Sequence, residues 1–135
     1  MARILISMIM SNVHMEKRTL VIGASVKPDR YSYKACKMLK SHGIPFEVLS
    51  NSKAIMDDGT PIYNLDHPPS EFHTITLYVG PPRQPYFYDF IFACNPKRII
   101  FNPGTENPEL IKMAEESGVE ALEACTLVLL STNQF

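Results

Sequence analysis

A short loop between a strand pattern and a helix pattern is the feature that most constrains this chain. The apolar, β-branched run that begins at Thr19 stops at Gly23, and a helical pattern begins at Tyr31. In an open α/β sheet such a loop directs free backbone N–H groups and a helix N-terminus at one point, where both favour an anion. Because Lys27 and Arg30 lie in the same loop, the sequence predicts a site for a phosphorylated ligand.

Composition narrows the class of protein. A chain of 135 residues with 45% hydrophobic content can form one domain with its own core. The net charge of −1 gives no general basic field, which argues against a nucleic-acid binder. The cysteines Cys36, Cys94 and Cys125 form no CxxC pair, which argues against a disulfide framework or structural zinc. We therefore expect a reducing compartment, the cytoplasm.

The first residues require a separate interpretation. The apolar run 1–10 is a poor signal peptide, because it is short, carries only Arg3 as a basic residue and precedes no small-residue cleavage site. We expect residues 1–14 to be an N-terminal extension and residues 15–135 to form the domain, with no membrane span. The alternative is that 3–10 adds a strand or an interface segment, which would suit a homodimer.

Strand-like and helix-like segments alternate along the remaining chain. This alternation predicts a three-layer, Rossmann-like, doubly wound α/β fold with a mainly parallel five-stranded sheet. We expect strands at 19–22, 44–49, 74–79, 98–101 and from 119 onwards, and helices at 31–42, 85–94 and 108–117. The segment 50–72 is the longest irregular stretch, because turn-forming residues interrupt any period.

Small and polar residues follow each predicted strand. Since parallel strands end at one edge of the sheet, these residues should meet in one ligand crevice, although such residues also end strands for purely structural reasons. The candidate binding residues at this edge are Gly23, Ala24, Ser25, Lys27, Arg30, Tyr31, Ser32, Ser50, Asn51, Val79, Gly80, Pro81, Asn102 and Gly104.

The sequence argues against the commonest phosphorylated ligands of such folds. The first loop has one glycine where the dinucleotide fingerprint has three, and the acidic Glu47 lies inside the second strand and not at its tip. No GxxxxGK[ST] motif is present. We therefore expect neither NAD, FAD nor a hydrolysed nucleoside triphosphate.

Two helix N-termini are predicted at the crevice. The helix after Asn107 is flanked by Glu106 and Glu109, which already complement its dipole and would repel a phosphate. The helix that begins at Tyr31 follows two basic residues, so the phosphate is expected there. The alternative for Arg30 is a solvated surface charge.

Three motifs resemble one known family. They are GAS at 23–25 with PDRYSY at 28–33, FNPGTENPEL at 101–110, and EACTL at 123–127. Together, over about residues 17–130, the chain resembles the small stand-alone CoA-binding domain proteins, which are similar to the CoA-binding domain of the succinyl-CoA synthetase alpha subunit.

The resemblance implies that coenzyme A or an acyl-CoA binds across the strand ends, without a settled reaction. Carried onto this chain, it implies that Gly23, Ala24, Ser25 and Arg30 hold phosphate, that Ser50 and Asn51 lie near adenosine, and that Val79, Gly80 and Pro81 border the pantetheine.

Two other function classes stay open. One is an enzyme acting on a small phosphorylated or thioester substrate, although Ser25 lies in no GxSxG motif and the histidines show no metal or base spacing. Its candidates are Cys125, which could exchange disulfides with a ligand thiol, and an acid/base pair of Glu106 and Glu123. The other class is an interaction subunit with an aromatic surface formed by Tyr31, Tyr33, Tyr86, Phe87 and Tyr88.

Overall fold

The computed structural model describes residues 17–135, so the predicted extension 1–14 lies outside the described residues. The strands are β1 (Thr19–Ile22), β2 (Phe46–Leu49), β3 (Ala54–Ile55), β4 (Pro61–Tyr63), β5 (Thr74–Leu77), β6 (Arg98–Phe101) and β7 (Glu120–Glu123). The helices are α1 (Tyr31–Ser41), a 3-10 helix (Pro81–Phe87), α2 (Tyr88–Ala93), α3 (Pro108–Glu116) and α4 (Thr126–Ser131). None of these helices has the length and apolar character needed to cross a membrane.

The strands form one sheet in the order β3-β4-β2-β1-β5-β6-β7. Every pairing is parallel except that of β3 with β4. From β1 the chain winds outward through β2 to β4, and it then returns to the other side of β1 for β5, β6 and β7. The strand order therefore reverses between β1 and β5, and ligands of open α/β sheets bind outside the carboxyl ends of strands at such a point.

Helices cover both faces of the sheet, as the predicted doubly wound fold requires. Alternate strand residues point to opposite faces, which divides the core into two clusters. One cluster joins the strands to α1 and α4 through Val21, Val48, Ile100, Cys36, Leu39 and Leu130. The other joins them to the 3-10 helix, α2 and α3 through Ile22, Leu77, Phe101, Phe87, Ile91 and Leu110.

The predicted number of strands was wrong, because the sheet has seven strands and not five. The two additional strands, β3 and β4, lie in the stretch 50–72 and have only two and three residues. Strands this short show no alternation among turn-forming residues. The predicted last segment, 119–130, also divides, since β7 ends at Glu123 and α4 follows. In α4 the buried residues Thr126 and Leu130 have helical spacing.

Candidate functional site

An open cleft of about 470 Å³ lies at the carboxyl ends of β1, β5 and β6. It is therefore at the point where the strand order reverses. Its lining residues are Gly23, Ser25, Lys27, Arg30, Tyr31, Ser32, Tyr78, Gly80, Arg83, Pro103, Gly104 and Thr105. We call this space the central cleft.

Gly23 allows the first loop to pass directly over the end of β5. Its φ of +90° lies in a region that side chains rarely adopt. A Cβ atom at this position would lie 2.9 Å from the backbone carbon of Tyr78 and 2.9 Å from the backbone nitrogen of Val79. The glycine is thus required by a backbone contact as well as by the backbone conformation.

The N-terminus of α1 opens into the central cleft without a side-chain cap. The N-cap residue is Arg30, whose side chain accepts no capping hydrogen bond, and the first turn contains no acidic residue. Two serines shape the loop before it, since the Ser25 N–H donates to Ser32 Oγ at 3.0 Å and the Lys27 N–H donates to Ser25 Oγ at 3.1 Å. The helix dipole is therefore free to favour an anion.

Three basic side chains line the central cleft, those of Lys27, Arg30 and Arg83. None of them makes an ion pair within residues 17–135. Elsewhere, Arg18 pairs with Glu47 at 3.1 Å and Lys37 pairs with Asp58 at 2.9 Å. The cleft thus gathers positive charge that the described part of the chain does not neutralise.

Arg83 is a cleft residue that the sequence interpretation missed. It lies in the 3-10 helix after Gly80, four residues beyond the end of the predicted strand 74–79. The buried Gln84 fixes this helix, because its amide donates to the Val79 carbonyl at 3.0 Å and to the Thr105 carbonyl at 2.7 Å. The sequence GPPR offered only a weak signal, a basic residue shortly after a strand end.

Two smaller cavities adjoin the central cleft and share Tyr78 with it. The first, of about 130 Å³, is lined in part by Ala24, Ser50, Asn51 and Val79. The second, of about 240 Å³, is lined by Tyr31, Tyr78, Asn102, Pro103, Cys125 and Leu127, and we call it the apolar slot. Of the fourteen predicted binding residues, the structure brings thirteen to these three cavities, while Pro81 lines none of them.

Asn102 lines the apolar slot, but its amide is fully used within the protein. Its Nδ2 donates to Thr76 Oγ1 and to the Leu77 carbonyl, each at 2.7 Å, and its Oδ1 accepts from the Thr126 N–H at 2.8 Å. The residue is 3% exposed. Its position thus joins β5, β6 and the start of α4, and it leaves no amide group for a ligand.

The N-terminus of α3 is closed by side chains. Asn107 Oδ1 accepts from the backbone N–H groups of Glu109 and Leu110, and Asn107 Nδ2 donates to Gln84 Oε1 at 2.9 Å. The Glu106 carboxylate accepts from the Gly104 N–H at 3.0 Å. Glu106 therefore makes a hydrogen bond within the loop that precedes α3, and Asn107 is the residue that caps the helix.

The predicted aromatic surface does not exist as a continuous patch, so that prediction was wrong. Tyr33 and Phe87 are buried in the core, whereas Tyr31 and Tyr86 are 68% and 71% exposed. The helical period of α1 turns Tyr33 inward, where its hydroxyl donates to the Asp57 carboxylate at 2.7 Å.

The three cysteines are free thiols in different surroundings. Cys36 and Cys94 are buried, and loss of solvent raises the pKa of these thiols to about 12 and about 11. Cys125 is half-buried beside the apolar slot. Residues 17–135 contain no group of three or more His, Cys, Asp or Glu side chains that could hold a metal ion.

A sequence model described as a CoA binding domain matches residues 17–131. The chain belongs to this CoA-binding domain family. The resemblance found in the three sequence motifs is thereby confirmed, and the match includes every residue that lines the central cleft.

Solved structures support the same fold. The chain is similar to an uncharacterized protein known from a crystal structure, with 42% identity over 88% of this chain and 98% of that chain and a TM-score of 0.83. A Thermus thermophilus protein, cell-free ID.343, shares 16% identity, with 93% and 97% coverage and a TM-score of 0.76. No curated protein matches the chain.

A further similar structure is part of a larger protein. It is a dinucleotide forming acetyl-coenzyme A synthetase from Ca. Korarchaeum cryptofilum, solved in complex with phosphate and ADP. The match has 18% identity and a TM-score of 0.63, and it covers 84% of this chain but 27% of that chain. At this identity the likeness concerns the fold alone.

Proposed function

We propose that this protein binds coenzyme A in the central cleft, with the diphosphate at the N-terminus of α1. The supporting observation is that an uncapped helix N-terminus and three basic side chains meet in this cleft. The three side chains, which make no ion pair within the described residues, are those of Lys27, Arg30 and Arg83. Charge-assisted hydrogen bonds from such groups suit phosphate oxygens.

The cavity of about 130 Å³ and the neighbouring part of the central cleft suit the remaining parts of the ligand. The adenosine is proposed to lie near Ser50 and Asn51, beyond the tip of β2, and the pantetheine near Val79 and Gly80. Arg83 borders both the central cleft and the cavity of about 130 Å³. Its guanidinium is therefore proposed to contact phosphates in both spaces. A cytoplasmic location is part of the proposal, because the three thiols are free.

Calorimetric titration with CoA tests this assignment. Arg30→Glu should weaken binding by about 30-fold or more, since one charge-assisted contact contributes about 1.5–3 kcal/mol and the reversed charge adds repulsion. Lys97→Glu is the matched control, because Lys97 is exposed and precedes β6 at the opposite edge of the sheet. Equal CoA affinities of the two variants would show that Arg30 does not contact the ligand.

A further inference from the structure

The cavities around Tyr78 differ in chemical character. The central cleft contains Lys27, Arg30 and Arg83, whereas the apolar slot is lined mainly by carbon atoms and contains no charged side chain. The two spaces share Tyr31, Tyr78 and Pro103 in their walls. A ligand that crosses from one to the other would therefore be anionic at one end and apolar at the other.

The two buried polar groups beside the slot differ in their hydrogen bonding. The Tyr78 hydroxyl is buried and has no hydrogen-bond partner within the described residues. The Asn102 amide donates hydrogen bonds to Thr76 and Leu77 and accepts one from the Thr126 N–H. It is therefore not free to bind a ligand. The remaining walls are aromatic and aliphatic, with the Cys125 thiol beside Leu127. A ligand group with several polar atoms would lose more hydrogen bonds to water here than the slot could replace, while an alkyl group would gain from burial.

The volume of the slot fits a short chain. At about 30 Å³ for one water in the liquid, a space of about 240 Å³ has room for roughly eight water-sized units. A four-carbon acyl group fits this space with room to spare, whereas a long fatty-acyl chain would have to leave through its open side.

We propose that the apolar slot binds the acyl group of a short-chain acyl-CoA, so that the preferred ligand is a thioester and not free CoA. This inference rests on the proposed CoA site, because the head group in the central cleft would bring the thioester to Tyr78. The half-buried position of Leu127, at the start of α4, makes it the residue through which the slot can be altered.

The test is calorimetric titration of the whole protein with CoA and with butyryl-CoA, which differ only in the acyl group. We expect butyryl-CoA to bind about tenfold more tightly, as burial of a few methylene groups predicts. Leu127→Asn should remove most of this preference, measured as the ratio of the two affinities within the same variant. Val128→Asn is the matched control, because Val128 is the next residue of α4, is 54% exposed and does not line the slot.

The outcomes separate this inference from the proposed function. Equal binding of CoA and butyryl-CoA would overturn the acyl slot and leave the CoA site in place. A preference that persists in Leu127→Asn would place the acyl group elsewhere and also overturn it. Failure of both ligands to bind would overturn the proposed function itself.

Discussion

The helices α1 and α3 both begin at the cleft edge of the sheet, α1 after β1 and α3 after β6. At α3, Asn107 caps two backbone N–H groups, and Glu109 provides a negative charge in the first turn. At α1 no side chain caps the helix, no acidic residue occupies the first turn, and the N-cap residue is the basic Arg30. The N-terminus of α3 is capped by its own sequence, whereas the N-terminus of α1 has no side-chain cap.

This difference extends to the charges along α1. Lys37 and Lys40 approach Asp58 at 2.9 and 3.5 Å, so the side of the helix facing the β3–β4 turn is neutralised. The basic residues before the helix have no such partner within residues 17–135. The end of α1 at the cleft thus keeps unpaired positive charge, and it lacks the stability that a cap would provide.

The largest effect is expected where the first loop contacts β5. Gly23→Ala should lower the free energy of unfolding by about 3 kcal/mol and abolish CoA binding, because the new Cβ adds strain and a backbone clash. Gly59→Ala is the control, since Gly59 has a similar φ of +87° but no atom within 4 Å of the added Cβ. Denaturant unfolding should show a loss of about 1 kcal/mol for this control. Equal losses for the two variants would show that the contact with Tyr78 is unimportant.

The next prediction is that caps at the two helix ends change stability in opposite directions. Asn107→Ala should lower the free energy of unfolding by about 2 kcal/mol, because the cap is lost and the buried Gln84 Oε1 loses its donor. Arg30→Ser should raise it by about 0.5–1 kcal/mol, since a serine cap replaces a cation at the positive end of the helix dipole.

The same Arg30→Ser variant should bind CoA about tenfold more weakly despite its greater stability. Thermal unfolding and calorimetry on one preparation measure both quantities. A variant that is less stable, or that binds CoA as well as the original protein does, would contradict the proposed difference between the N-termini of α1 and α3.

The smallest effect concerns the paired side of α1. Contact with Lys37 and Thr60 holds the pKa of the Asp58 carboxyl well below its ordinary value. A lowered pKa in the folded state stabilises the protein above the ordinary carboxyl pKa of about 3.9, and this stabilisation is lost as the pH falls further. Asp58→Asn should therefore melt at a lower temperature than the original protein at pH 7, and the difference should shrink between pH 5 and pH 2.

Asp66→Asn is the control for this pH series, because the exposed Asp66 makes no ion pair within the described residues. A difference in melting temperature that stays constant across the pH range would mean that Asp58 does not stabilise the fold through its charge.

The sequence predicted the fold where its signals were local. The sequence identified β1 and β6 from their β-branched runs. It identified the inward face of α1 because the apolar residues there follow the helical period. The short strands β3 and β4 were missed because two or three residues show no period. Most predicted site residues meet at the cleft because the ends of parallel strands share one edge.

The rest of the site depends on contacts between distant residues. Arg83 reaches the cleft because Gln84 joins its helix to Thr105, which is 21 residues away. Asn102 is a structural residue because its amide bonds span β5 and α4. The local sequence carries only a weak signal of the first arrangement and none of the second, because both depend on contacts across the fold.

The central claim is that the cleft at the N-terminus of α1 binds phosphate. Calorimetric titration of the unaltered protein with 4′-phosphopantetheine and with pantetheine, which differ only in the phosphate, tests it directly. Because charge-assisted contacts to the phosphate are lost, we expect pantetheine to bind at least about tenfold more weakly than 4′-phosphopantetheine. Equal affinity for the two ligands would contradict the account, because the basic residues and the open helix end would then contribute nothing to binding.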